Sequence, residues 1–179
     1  MKVQNFTLQP FPGTDSLPDL KISGFLARRA NNLSIGYLLV GHLIDIEIPA
    51  LSKPAARRIG LWEKTCLEFF LARIGSMGYW EFNLSPSGDW NVYRFEVYRQ
   101  GLYEEPAFAS LPFSVRKQSD SLLLELEFDL GLILPADQTL EVAVSAVIRT
   151  KEGQETFWAL THPGEAPDFH HRNGFIVKL

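Results

Sequence analysis

Between Leu61 and Val97 aromatic and polar residues alternate more densely than elsewhere in the chain, in the segment LWEKTCLEFFLARIGSMGYWEFNLSPSGDWNVYRFEV. A repeat of two suits a strand and does not suit a helix. Tyr79 to Leu84 and Trp90 to Val97 flank Ser85-Pro86-Ser87-Gly88-Asp89, where proline fixes φ and glycine accepts the angles of a reversal, so a β-hairpin is expected. On its first strand Trp80, Phe82 and Leu84 share one face and Tyr79, Glu81 and Asn83 the other. Setting Asn91, Tyr93, Phe95 and Val97 beside the Trp80 set on the buried side leaves Glu81, Asn83, Trp90, Arg94 and Glu96 together on the opposite face. That face reads either as a solvated sheet surface or as a platform for a sugar or other small ligand. Upstream, Thr65 to Leu71 is apolar on both faces apart from Glu68, which predicts a central strand covered above and below and a buried carboxyl in need of a partner.

The rest of the chain repeats the strand signal. Residues 3–11 read as an edge strand, followed by a Pro/Asp/Ser-rich loop to about residue 20. Ile22 to Arg28 and Leu33 to Gly41 form a hairpin about Asn31-Asn32, and Ile44 to Ile48 a short strand. Pro49 and Pro54 then open a loop that ends in Arg57, Arg58 and Trp62, side chains that are either solvated and edge-packing or the rim of a pocket. Further strands follow at Phe113 to Lys117, Ser121 to Leu130, Gln138 to Thr150, Glu155 to Thr161 and Phe175 to Leu179. Leu122, Leu124, Leu126 and Phe128 are assigned to the interior, and the strand through Val142 to Ile148, apolar on both faces, to a central place. About ten strand-like runs and no helix of three turns predict an all-β fold, an antiparallel two-sheet β-sandwich that is jelly-roll-like, in a single domain over residues 1–179.

Composition narrows the function. With 17 Lys and Arg against 21 Asp and Glu, a net charge of −4 and no basic run, nucleic-acid binding is not expected. No apolar stretch is long enough for a bilayer, and the first residues lack the apolar centre of a secretory signal. The single Cys66 excludes an intrachain disulfide, and together these features predict a cytoplasmic protein.

The strand LWEKTCLEFFL followed by the hairpin YWEFNLSPSGDWNVYRF resembles DOMON-like domains related to family-nine carbohydrate-binding modules, over roughly residues 33–177. The resemblance implies a β-sandwich that holds a sugar or a haem without altering it. It assigns Glu68, Glu81, Asn83 and Trp90 to the ligand face, and the segments Trp158–Pro163 and Pro167–Arg172 to the closure of the pocket. With no secretion signal, a soluble intracellular sugar, a nucleotide-sugar or another small molecule is the expected target.

Three of the four histidines, His162, His170 and His171, lie near Asp168. Neighbouring His170 and His171 point to opposite faces if extended, so a locked surface loop or contact with a ligand is preferred over a metal site. Haem would need Met77 as an axial ligand. Glu68 and Glu81 could be a carboxylate pair of the glycosidase kind. No nucleophile elbow, phosphate-binding loop or dinucleotide fingerprint is present, and Cys66 reads as an inert core thiol. The expectation is therefore non-catalytic binding of a carbohydrate, without metal or cofactor. Trp90 or Trp62 is the stacking plane, Glu68, Glu81, Asn83 and Arg94 the hydrogen-bonding groups, and His162, Asp168 and His170 the contacts from the closing segment. The alternatives are a protein-interaction module that uses a sheet edge, or a haem-binding domain.

Overall fold

Two antiparallel sheets pack face to face in a computed structural model that describes residues 2–14, 16–135 and 138–179. Asp15, part of the expected Pro/Asp/Ser-rich loop, lies outside the described residues.

The first sheet contains β1 (Lys2–Thr7), β3 (Leu20–Arg29), β4 (Asn32–Gly41), β9 (Phe113–Lys117) and β10 (Ser121–Asp129), in the order β1-β3-β4-β10-β9. The second contains β2 (Gln9–Pro10), β5 (Cys66–Arg73), β6 (Tyr79–Leu84), β7 (Trp90–Phe95), β8 (Tyr103–Glu104), β11 (Leu140–Arg149) and β12 (Glu155–Ala159), in the order β2-β12-β11-β5-β6-β7-β8. A short β13 (Val177–Lys178) adds to β11. The chain crosses between sheets, so that β4 pairs with β10 and β5 with β11, far apart in sequence. β5 and β11 lie inside the sheet, as their two apolar faces require.

Between the sheets Ile22, Ile35, Tyr37, Leu122, Leu124 and Phe128 meet Leu67, Phe69, Trp80, Phe82, Val142 and Val144. Phe69 stacks on Phe82 at 4.4 Å, and the buried Tyr37 hydroxyl donates across the interface to the Glu68 carbonyl at 2.6 Å. The second sheet also buries its outer face. Phe70, Ala72, Tyr79, Tyr93, Phe95 and Ala143 form a separate cluster there, covered by Phe169 and Phe175 from the chain that follows β12.

Two local expectations change. The turn between β3 and β4 lies one residue earlier than predicted: Arg29 pairs with Asn32, and Ala30 takes the left-handed conformation at φ 52. Ile44 to Ile48 is not a strand. Leu43–Asp45 is a 3-10 turn, and Ile46, buried, bridges only to Thr150 while Ile44 is exposed, so the alternation there belongs to a loop anchored at one point. No helix among the described residues is long and apolar enough to cross a membrane.

Candidate ligand-binding site

Directly opposed residues of a sheet share a face, so register decides what converges. Across β11, β5, β6 and β7 the pairs Ser145 with Glu68, Glu68 with Asn83, Phe70 with Glu81, Asn83 with Asn91, Glu81 with Tyr93 and Tyr79 with Phe95 all lie on the outer face of the second sheet. Above them is a cavity of about 500 Å³. Its floor holds Glu68 and Glu81; Trp62, Tyr93, Phe157 and Phe169 supply aromatic walls, and Arg99 and His170 close one side. Trp62, 42% exposed, meets Tyr93 edge to face at 5.9 Å.

The two carboxyls are the groups most altered by this environment. Glu68 is 3% exposed, and burial, reinforced by the neighbouring Glu81, pushes its pKa well above the ordinary carboxyl value. Burial raises Glu81 to about 7, against the pull of the Asn83 amide and of Arg99. Asn83 Nδ2 donates to Glu81 Oε1 at 2.8 Å, whereas Glu68 Oε1 and the adjacent, buried Ser145 Oγ have no hydrogen-bond partner. Cys66, on the same face, has its thiol raised by burial and by Glu68, which keeps it protonated.

Asp168 organises the closing segment. It accepts from the Tyr98 hydroxyl at 2.6 Å, Arg99 Nη2 at 2.8 Å and the His170 amide at 3.1 Å. Burial works against the Asp168 carboxylate, but these donors outweigh it and hold its pKa below the usual range. His170 packs edge-on against Phe70 and Phe95, and burial foremost, then Arg99, pushes it down to about 4. His170 Nε2 lies 3.7 Å from Glu81 Oε2. With the imidazole neutral at pH 7, that contact is not an ion pair. The Tyr79 hydroxyl accepts from the Arg99 amide at 3.1 Å and meets His170 Nδ1 at 2.8 Å. If the hydroxyl gives its own proton to Nδ1, the Nε2 proton of His170 faces Glu81.

Of the residues expected at the site, Glu68, Glu81, Trp62 and His170 line one cavity, Asn83 holds Glu81 from two residues along the same face of β6, and Asp168 anchors the wall. Trp90 and Arg94 do not join them. Leu84 pairs with Trp90 and Trp80 with Arg94, which places both on the inner side of β7. Trp90, 4% exposed, is core under the Arg57 guanidinium at 4.4 Å, and Arg94 lies over the Trp80 ring at 3.8 Å. Arg57 is neither solvated nor at the rim: it donates to Asn91 Oδ1 and to the Glu105 and Phe108 carbonyls, and so fixes the loop to β7. His162 is also elsewhere, bonded to the Gln9 carbonyl at 2.9 Å and packed on Phe11, because the chain leaving β12 first passes β2. Met77 is exposed in a turn before β6 and does not line the cavity. Tyr93, Arg99, Ser145 and Phe157 were not singled out from sequence, whereas Phe169 lies in the segment Pro167–Arg172 that the resemblance assigned to the closure of the pocket. For Tyr93 the signal was the odd number of residues in the hairpin loop; Arg99 reaches the site from irregular chain and gave none.

No known protein family matches the chain, and no curated protein matches it in sequence. Among solved structures, a Bacteroides uniformis protein proposed to bind carbohydrate is similar with a TM-score of 0.75 and 13% identity, over 96% of this chain and 84% of that one. A family 9 carbohydrate-binding module from Caldicellulosiruptor kristjanssonii, in complex with cellotriose, is similar with a TM-score of 0.56 and 8% identity, over 91% of this chain and 75% of that one. At these identities the likeness is one of fold: the chain has the two-sheet sandwich shared by a carbohydrate-binding module and a protein proposed to bind carbohydrate.

Proposed function

We propose that this protein is a non-catalytic receptor for a carbohydrate or sugar derivative, a DOMON-like domain whose ligand sits on the outer face of the second sheet. The observation that carries the reading is the convergence of Glu68 and Glu81 with the rings of Trp62 and Tyr93 in one cavity, where Glu68 Oε1 still lacks a partner. A pyranose offers an apolar C–H face to aromatic rings and hydroxyl donors to carboxyl oxygens, which matches a mostly apolar pocket with a few directed polar groups. The shared fold with a cellotriose-binding module supports the ligand class by analogy.

Calorimetric titration with mono- and oligosaccharides, cellotriose included, tests the reading. Saturable heat with at least one sugar, weakened about tenfold or more in Trp62→Ala, is the expected result. Folded protein that gives no heat with any sugar overturns it.

A further inference from the structure

The charge inside the cavity is incomplete. Glu68 sits opposite Asn83 and Glu81 stands two residues before Asn83 on the same strand, so the two carboxyls are diagonal neighbours on one face. Both are almost fully buried. Among the described residues Arg99 is the one guanidinium lining the cavity, and its Nη2 is engaged by Asp168 at 2.8 Å. His170, buried among Phe70, Tyr79 and Phe95, has no charge to contribute at neutral pH. Glu155, also on the wall, is already matched by Arg149 at 3.3 Å. Among the described residues no cation is bonded to the acids on the floor, since Arg99, whose charge reaches Glu81, is bonded to Asp168, and two buried oxygens there, Glu68 Oε1 and Ser145 Oγ, accept no hydrogen bond.

We propose that the occupant of this cavity carries a protonated amine, so that within the carbohydrate reading, on which this rests, the ligand is an amino sugar. An ammonium group supplies what the floor lacks. It has three donors for oxygens held on adjoining strands, and a charge that offsets two buried carboxyls, which a hydroxyl cannot do. The walls suit the same group, since the aromatic rings of Trp62 and Tyr93 line the cavity and such rings attract a cation. Burial gives Glu68 and Glu81 an elevated proton affinity, and an ammonium beside them would supply the compensation that a bound proton otherwise gives. Ser145, opposite Glu68, contributes an acceptor that no protein donor uses.

Titration of the full chain with glucosamine, N-acetylglucosamine, glucose and benzylamine separates the two claims. Glucosamine is expected to bind about tenfold or more tightly than glucose and N-acetylglucosamine, the return on one charge-assisted hydrogen bond. Glu68→Gln is expected to abolish that advantage, with Glu81→Gln as a second variant should the first not fold. Equal affinity for glucosamine and glucose overturns the amine and leaves the carbohydrate reading in place. Binding of benzylamine with every sugar silent keeps the amine and overturns the carbohydrate reading. Silence from all four overturns the amine, and silence from cellotriose and the other oligosaccharides as well overturns the carbohydrate reading.

Discussion

Ser145 and Glu68 face each other across β11 and β5 on the outer side of the second sheet, and neither Ser145 Oγ nor Glu68 Oε1 finds a hydrogen-bond partner. Unsatisfied buried polar atoms of this kind cost about 1–3 kcal/mol each, a loss a fold tolerates where a ligand makes it good. Glu68→Met removes the buried carboxyl and keeps an unbranched side chain. It is expected to stabilise the unliganded protein by about 1–3 kcal/mol while abolishing sugar binding. Thermal unfolding followed by titration checks both halves; a variant less stable than the wild type contradicts the account of Glu68 as an uncompensated group.

The sign of the pH dependence at Glu81 follows from its environment. Folded, the carboxyl keeps its proton up to about pH 7; unfolded, it releases it near 4.5. Proton binding therefore stabilises the fold fully below about 4.5, and the contribution is lost as pH rises through about 7. The interval is worth on the order of 3 kcal/mol. His170, held down near 4, titrates in the opposite sense over an overlapping range, so the wild-type curve by itself is flattened there. The quantity to read is the difference between Glu81→Gln and wild type, since glutamine still accepts from Asn83. Denaturant midpoints should coincide near pH 4.5 and favour the variant increasingly up to pH 8. A difference that does not vary with pH sinks the assignment.

Trp62 and Trp90, the two tryptophans that the sequence offers for stacking, should behave in opposite ways. Trp90→Ala empties part of the inter-sheet core and is expected to cost about 3–5 kcal/mol. Trp62 is 42% exposed on a 3-10 turn, Leu61–Glu63, outside the inter-sheet core, so Trp62→Ala should stay within about 1 kcal/mol of wild type and weaken the ligand instead. Chemical denaturation and calorimetry on the two variants distinguish these outcomes directly.

The parity of one loop explains why sequence placed Trp90 wrongly. The residues between Leu84 and Trp90 are odd in number, and the Ser85 amide bonds the Asp89 carbonyl at 2.9 Å, so even-numbered residues of both strands share a face. Trp80, Phe82, Trp90 and Val92 go inward together, and Glu81, Asn83, Tyr93 and Phe95 go outward. Ranking faces by apolar content alone failed because both faces of β7 are buried, and a one-residue error in pairing exchanges them entirely. Alternation within each strand, by contrast, was enough for the sandwich itself, as Leu122 to Phe128 and Val142 to Ile148 illustrate. The cavity wall from Arg99 and Phe169 depends on how irregular chain lies over a sheet, and residue spacing carries no periodic signal for that.

Asp168 offers the last test, because it binds three donors from two separate segments without touching the carboxyl floor. Its oxygens accept from Tyr98, Arg99 and the His170 amide, while His170 in turn meets Tyr79. Asp168→Ala strands these donors and removes the charge that fixes Arg99, so the closing segment should open more readily than the sheet beneath it. The Asp168 carboxylate is held below its usual pKa, so its contribution is present at neutral pH and fades only as the solution becomes strongly acidic. Amide hydrogen exchange at pH 7 should quicken around residues 168–172 and leave β5 and β6 protected. The ligand should bind more weakly in the same variant, because a wall that is open part of the time reduces the binding-competent population. Unchanged exchange in that segment, with weakened binding, would instead make Asp168 a direct ligand contact.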